Sequence, residues 1–133
     1  MGAARDAATK SMERIGVKDR QGWLDLYADD ATIEDPVGPS MLDASGRGRH
    51  GIADITDFYD NVIATSENIH FTVKESIECG NEVANTGEIR ITLPGGQVGT
   101  VAYVNIYKVN DDGKLASLRS FWDETTLEFT KPE

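Results

Sequence analysis

The chain has 133 residues, 39% of them hydrophobic and 8% aromatic, which suits one domain over 1–133 with a real core and is too short for two. The formal net charge of −10 argues against nucleic acid or an anionic membrane as partner. No segment is apolar for long enough to span a membrane, the first residues have no hydrophobic signal region, and Cys79 is the one cysteine. We therefore expect a cytoplasmic protein without internal disulfides.

The first half of the chain predicts three helices. Apolar residues recur at helical spacing, Gly16 interrupts the first run, and Asp19 has the position of an N-cap for the second. The second run contains Trp23 and ends at Tyr27, so we expect Tyr27 to lie at the end of a helix. The three predicted helices cover about residues 3–15, 20–27 and 52–64.

A carboxylate, Asp35, follows a short predicted strand that ends before Pro36. Strand alternation puts Asp35 on the same apolar face as Ala31 and Ile33. A carboxylate among apolar neighbours resists ionisation, so its pKa rises and it becomes a usable base near neutral pH. Taken alone, these residues are explained more simply by an aspartate that ends a strand and begins the following turn.

After the third helix, the apolar period changes to that of strands. The candidate strands are separated by turns rich in Gly, Asn, Asp and Pro, which are typical of hairpins. Helices followed by a mostly antiparallel meander indicate an α+β fold, with the helices packed on one face of a curved sheet. The predicted strands cover residues 69–79, 83–93, 98–109 and 115–122.

The third of these strands has an unusual face. Tyr103, Asn105 and Tyr107 alternate onto the side that they share with Val101 and Val109. Such a face is either ordinary packing, with the tyrosine hydroxyls reaching solvent, or the wall of a pocket with a few polar points. The residues alone support the two interpretations about equally.

The sequence lacks the spacings of metal and nucleotide sites. His50 and His70 are isolated, and neither a glycine-rich phosphate loop nor a Gly-x-Ser-x-Gly turn occurs. We therefore expect no metal and no other cofactor.

Three features together resemble the ketosteroid isomerases. They are the segment Tyr27–Pro36, Phe58-Tyr59 in a helix, and a strand–turn–strand unit that ends at Trp122. The resemblance extends from about Asp19 to the C terminus. It implies the cone-shaped α+β fold of the nuclear transport factor 2-like superfamily, a flat hydrophobic ligand such as a steroid, and a homodimer.

The resemblance also implies roles for individual residues. The family is a standard example of pKa tuning, in which an aspartate moves a proton along a Δ5-3-ketosteroid and a tyrosine and a protonated aspartate form the oxyanion hole. Asp35 matches the base, and counting back from the turn at 111–113 puts Asn105 at the position of the second aspartate. An amide can donate to an oxyanion without a raised pKa. The residues predicted to bind the ligand are Tyr27, Phe58, Tyr59, Tyr103, Tyr107 and Trp122.

One departure from the family pattern concerns the oxyanion tyrosine. It belongs on the first helix, where spacing leads to Ser11 or Met12, and no tyrosine precedes Tyr27. Losing one oxyanion donor typically costs on the order of 10²–10³ in rate. Two functions are therefore open: a weak isomerase, and a steroid-binding protein with little or no catalysis. If the protein is an isomerase, Tyr59, Tyr103 or Tyr107 could replace the missing donor.

Two further alternatives use the same fold. Epoxide hydrolysis would require two acids bridged by an arginine, and Arg90 alternates away from Ile89 and Ile91. The second alternative is a purely structural module that forms a dimer through the outer face of the sheet.

Overall fold

The structure is a computed structural model that describes residues 2–130. Most of the helical residues precede the long strands, as expected for the α+β class, and a short 3₁₀ turn comes late, at Glu124–Thr126. No helix within 2–130 is long and apolar enough to cross a membrane. The helices are α1 (Ala3–Gly16), α2 (Arg20–Leu24) and α3 (Gly51–Phe58), which continues as a π-helical turn (Tyr59–Ile63).

The strands form one curved sheet with the order β2-β1-β6-β5-β4-β3. β7 joins it beside the part of β5 that β6 does not reach. Only β1 and β6 run parallel among the described pairs, so the predicted curved and mostly antiparallel sheet is confirmed. The strands are β1 (Tyr27–Glu34), β2 (Arg49–His50), β3 (Asn68–Cys79), β4 (Glu82–Thr92), β5 (Val98–Val109), β6 (Leu115–Phe121) and β7 (Glu128–Thr130).

The end of the second helix was predicted wrongly. α2 stops at Leu24, and Tyr27 begins β1, where it pairs with Leu115. The backbone N–H of Leu115 donates to the carbonyl of Leu26 at 2.8 Å, so the chain leaves the helix to join β6. Helical spacing of apolar residues cannot reveal this long-range pairing, and β1 is consequently longer than predicted.

The other differences are smaller. β1 ends at Glu34, one residue before Asp35, and the third helix changes to π geometry at Tyr59. The short strands β2 and β7 have no alternating pattern that would predict them. They form because a long neighbouring strand offers unpaired backbone groups.

Two apolar clusters lie on the inner face of the sheet. The first, here called the helix cluster, is packed between the helices and the sheet, and α1 approaches closely because it presents small buried residues there. The second, here called the strand cluster, lies at the other end of the long strands and is only partly covered. The helix cluster includes Trp23, Ile33, Ile55, Tyr107 and Leu115; the strand cluster consists of Ile89, Val101 and Tyr103 with Ile69, Phe71, Ile91, Trp122 and Leu127.

Candidate active site

A cavity opens between the two clusters, on the inner face of the sheet. The volume inside it that is open to the centre of a water molecule is about 90 Å³. Its wall is largely apolar, which is typical of sites that bind small organic molecules. The residues with polar groups in its lining are Ser11, Asp35, Asn105, Tyr107 and Trp122, and the apolar wall includes Phe58, Val62, Ile69, Phe71, Ile91 and Leu127.

Asp35 reaches the cavity because it continues the inward-facing row of β1. Ile33 is completely buried two residues earlier, and Asp35 lies on the same side. The indole Nε1–H of Trp122 donates to Asp35 Oδ1 at 2.7 Å. This bond engages one carboxylate oxygen and orients the group, so that the other oxygen can face a ligand.

The environment of Asp35 shifts its pKa upwards. Burial of the carboxyl group raises the pKa, whereas the Trp122 N–H, the Ser120 hydroxyl and the Arg49 guanidinium each favour the charged form. Burial has the largest effect, although the residue as a whole retains some exposure. The Ser120 hydroxyl is near enough to act on Asp35, yet it is not aligned in a hydrogen bond with any described residue. A raised pKa is what proton abstraction near neutral pH requires.

Asn105 lies in the middle of the buried face of β5, between Tyr103 and Tyr107, as the alternation predicted. Its Nδ2 donates to the hydroxyl of Tyr107 over 3.4 Å, a long and therefore weak bond. Its Oδ1 is buried and has no partner among the described residues. Nδ2 also carries a second N–H beside the one that it gives to Tyr107, so the amide retains a donor for a ligand oxygen in the cavity.

The described cavity lining does not include Met12, so of the two residues that spacing offered for the family's tyrosine, the one that reaches the cavity is Ser11. It lines the cavity, is 1% exposed, and accepts a hydrogen bond from the indole N–H of Trp23 at 3.1 Å. It also lies near the hydroxyls of Tyr27 and Tyr107, whose pKa values burial raises and Ser11 partly lowers. The cavity therefore has an aliphatic hydroxyl at this position instead of a phenol.

Five of the predicted site residues meet at this cavity. Asp35, Asn105, Phe58, Tyr107 and Trp122 come from three strands or their ends and one helix, and all line the same space. The tertiary structure thus brings together residues that are separated by up to 87 positions in the sequence.

The other predicted ligand-binding residues are Tyr27, Tyr59 and Tyr103. They are buried and are not part of the cavity lining formed by residues 2–130. The rings of Tyr27 and Tyr59 pack against Trp23, with centroids 4.7 and 5.3 Å away. Tyr103 packs edge-on against Phe71 at 5.9 Å. Because Trp23 and Phe71 line the cavity, the three tyrosines are placed to support its wall.

Some lining residues were missed by sequence reasoning. Leu42 comes from the polar loop after Asp35, and Leu127 follows the 3₁₀ turn. Arg49 holds this loop: its Nη2 donates to the carbonyl of Leu42 at 2.6 Å, and its guanidinium lies 5.2 Å from the ring centre of Phe58. An apolar residue such as Leu42 in a polar loop was the available signal.

Comparison with known proteins agrees with this architecture. The profile of the SnoaL-like domain family matches residues 8–118. The steroid Delta-isomerase of Nocardioides simplex is 31% identical over 98 residues, which are 73% of this chain and 71% of that protein.

Solved structures give the same result. The Delta 5-3-ketosteroid isomerase from Mycobacterium sp. superposes with a TM-score of 0.92 at 32% identity, covering 98% of this chain and 100% of that one. RV0760c from Mycobacterium tuberculosis, solved in complex with estradiol-17beta-hemisuccinate, gives 0.91 at 30% identity, covering 97% and 100%. The chain belongs to the SnoaL-like domain family and has the nuclear transport factor 2-like fold of the ketosteroid isomerases. The resemblance noted in the sequence is confirmed.

Proposed function

We propose that this protein is a steroid Δ5-3-ketone isomerase-like enzyme with Asp35 as its base. The observation that carries the proposal is a carboxylate with a raised pKa at the wall of an apolar cavity, oriented by the Trp122 N–H at 2.7 Å. A base for a weak carbon acid needs this combination: a basicity above that of an exposed aspartate, and a direction towards the substrate.

The proposed reaction moves one proton within the substrate. Asp35 takes the proton from the carbon between the ketone and the alkene, and the electron pair of that C–H bond enters the conjugated system. Negative charge accumulates on the ketone oxygen, where an N–H of Asn105 donates a hydrogen bond to it. Protonated Asp35 then returns the proton two carbons along, which gives the conjugated enone and regenerates the carboxylate.

The relatives support a flat hydrophobic ligand. Two of them carry the name of steroid isomerases, and a third was solved with an estradiol derivative. The apolar wall formed by Phe58, Ile69 and Phe71 has the chemistry to pack against such a ring system.

A second candidate function is steroid binding with little catalysis. The observation that favours it is Ser11 at the position of the expected tyrosine, which leaves Asn105 as the main nearby N–H donor for the oxyanion. The Ser11 hydroxyl is not a full substitute, because a serine is a much weaker acid than a phenol and therefore a weaker hydrogen-bond donor to an oxyanion.

We also propose a homodimer formed through the outer face of the sheet. Val104 and Phe121 are 37% and 39% exposed there and are paired across β5 and β6. Apolar side chains on an open sheet face are suited to contact a second copy. A strict monomer in sedimentation equilibrium would contradict this proposal.

The direct test is an ultraviolet assay that follows enone formation from 5-androstene-3,17-dione. We expect measurable turnover by the wild type and a loss of about 10²–10⁴-fold in Asp35→Asn, the range for a removed general base. Asp30→Asn is the matched control, because Asp30 is an exposed aspartate of β1 that does not line the cavity.

The outcomes separate the two candidates. Loss in Asp35→Asn with normal turnover in Asp30→Asn supports the isomerase. Steroid binding with no turnover above background in the wild type supports the binding protein and contradicts the isomerase.

A further inference from the structure

Three buried polar side chains stand side by side across the middle of the sheet. Asn85 on β4 pairs with Asn105 on β5, and Asn105 pairs with Ser120 on β6. The three residues are 2%, 3% and 1% exposed. We call them the polar row. Asn105 is the member that lines the cavity, and the other two flank it from behind the wall.

Each member of the polar row has an oxygen that lacks a hydrogen bond within residues 2–130. These atoms are Oδ1 of Asn85, Oδ1 of Asn105 and Oγ of Ser120. Buried polar atoms without partners are costly and rare, so a small rotation of the side chains in the row, an ordered water or a ligand must satisfy them. Side chains paired across neighbouring strands have Cβ atoms about 4.5–5.5 Å apart, which is within reach of an amide or a hydroxyl.

The orientation of the Asn105 amide determines whether a hydrogen-bond donor or an acceptor faces a ligand in the cavity. Its NH₂ group attracts a carbonyl oxygen or an oxyanion, whereas its Oδ1 repels either one. Asn85 carries an NH₂ donor on one side of Asn105. On the other side Ser120 carries a single hydroxyl hydrogen, which it can donate either to Asn105 or to Asp35. Donors on both flanks favour the orientation in which Oδ1 turns towards the sheet and NH₂ turns towards the cavity and Tyr107.

We propose that Asn85 and Ser120 are positioning residues that hold the Asn105 amide with its NH₂ group towards the ligand oxygen. The proposal rests on the proposed function, because it takes Asn105 as the donor to that oxygen. Asn85 gives the cleaner test of the two. Ser120 also lies near Asp35, whereas Asn85 is on β4, two strands away from β6.

The test compares two ligands that differ in one oxygen, estradiol and 3-deoxyestradiol, titrated by calorimetry. The phenol oxygen of estradiol represents the substrate oxygen. We expect wild type to prefer estradiol, and Asn85→Leu and Ser120→Ala each to weaken estradiol binding roughly 3- to 10-fold, the usual range for one hydrogen bond. Binding of 3-deoxyestradiol should not change. Thr86→Val, on the other face of β4, is the control and should affect neither ligand.

The same changes in an Asn105→Leu background distinguish positioning from a structural role. We expect no further loss there, because Asn85 and Ser120 would have no amide to orient. Equal losses for both ligands, losses that persist in the Asn105→Leu background, or no loss at all would each overturn the proposal. If Asn85→Leu does not fold, Ser120→Ala still decides through the Asn105→Leu background, because a loss caused by its contact with Asp35 would persist there.

Failure of the proposed function gives a different result. If wild-type protein binds neither steroid, the steroid site is wrong, and the positioning role falls with it. If both ligands bind equally well to wild type, the site exists but Asn105 is not the donor to this oxygen, which overturns the present inference alone.

Discussion

The helix cluster and the strand cluster are built from similar residue types but differ in how completely they are covered. Ile33, Ile55 and Leu115 of the helix cluster have no exposed surface. In the strand cluster Ile91 and Trp122, among others, keep part of their surface accessible. The reason is geometric: the helices cover one end of the inner sheet face and leave the other end open.

This difference assigns separate tasks to the two clusters. Complete burial stabilises the fold, whereas accessible apolar surface in a concave site is available to a ligand. Asp35, Asn105 and Ser120 lie along the boundary, where burial is deep enough to shift a pKa and a ligand can still arrive. The site therefore depends on the difference in burial between the two clusters as well as on the chemistry of its own residues.

The largest effect on stability should come from the helix cluster. We expect Ile55→Ala to lower the free energy of unfolding by about 2–5 kcal/mol, because it leaves a cavity in a fully buried site. Urea denaturation measures this. A loss well below that range would show that the helix cluster is less tightly packed than its burial indicates.

The same substitution in the strand cluster should weaken ligand binding more than it lowers the stability of the fold. Ile91→Ala removes the same atoms from a partly exposed residue of the cavity wall, so we expect a loss of no more than about 1.5 kcal/mol in stability. Its main effect should be weaker steroid binding, measured by calorimetry. If Ile91→Ala destabilises as much as Ile55→Ala and leaves binding unchanged, the proposed division between the clusters is wrong.

Trp122→Phe changes a residue at the boundary between the two clusters. Phenylalanine keeps the apolar wall but removes the N–H that favours charged Asp35, so the pKa of Asp35 rises further. The acidic limb of the kcat/KM profile should move to higher pH, with a loss at acidic pH at least on the order of tenfold. Phe121→Leu is the control, since Phe121 is the adjacent, partly exposed aromatic residue. A profile that does not move would show that this bond does not set the basicity of Asp35.

The smallest expected effect is on the free energy of unfolding, which is lowered at neutral pH because Asp35 is buried and charged there. Because the pKa of Asp35 is higher in the folded protein than in the unfolded chain, stability falls as pH rises through the interval between the two values. Asp35→Asn lacks this ionisation. We expect a slightly higher melting temperature than wild type at neutral pH, and a difference that disappears as pH falls below the usual aspartate pKa. A lower melting temperature at neutral pH would contradict the raised pKa.

Local pattern alone was sufficient for several features of this protein. The change from helical to strand period predicted the α+β class, since periodicity reports which residues of one segment share a face. The common face of Tyr103, Asn105 and Tyr107 on their strand was likewise predicted, and the alternating burial of β5 confirms it. The segment from Tyr27 to Pro36, together with Phe58-Tyr59 and the strand–turn–strand unit that ends at Trp122, carried enough of the family pattern to identify the fold.

Tertiary structure decided the rest. Tyr27 begins a strand because β6 pairs with it, and Leu42 reaches the cavity because the loop folds back under Arg49. The polar row exists only in the register of β4, β5 and β6, which aligns residues that are distant in sequence. Periodicity cannot specify such contacts, because it describes neighbours along one segment, whereas strand register and helix placement depend on the packing of all segments together.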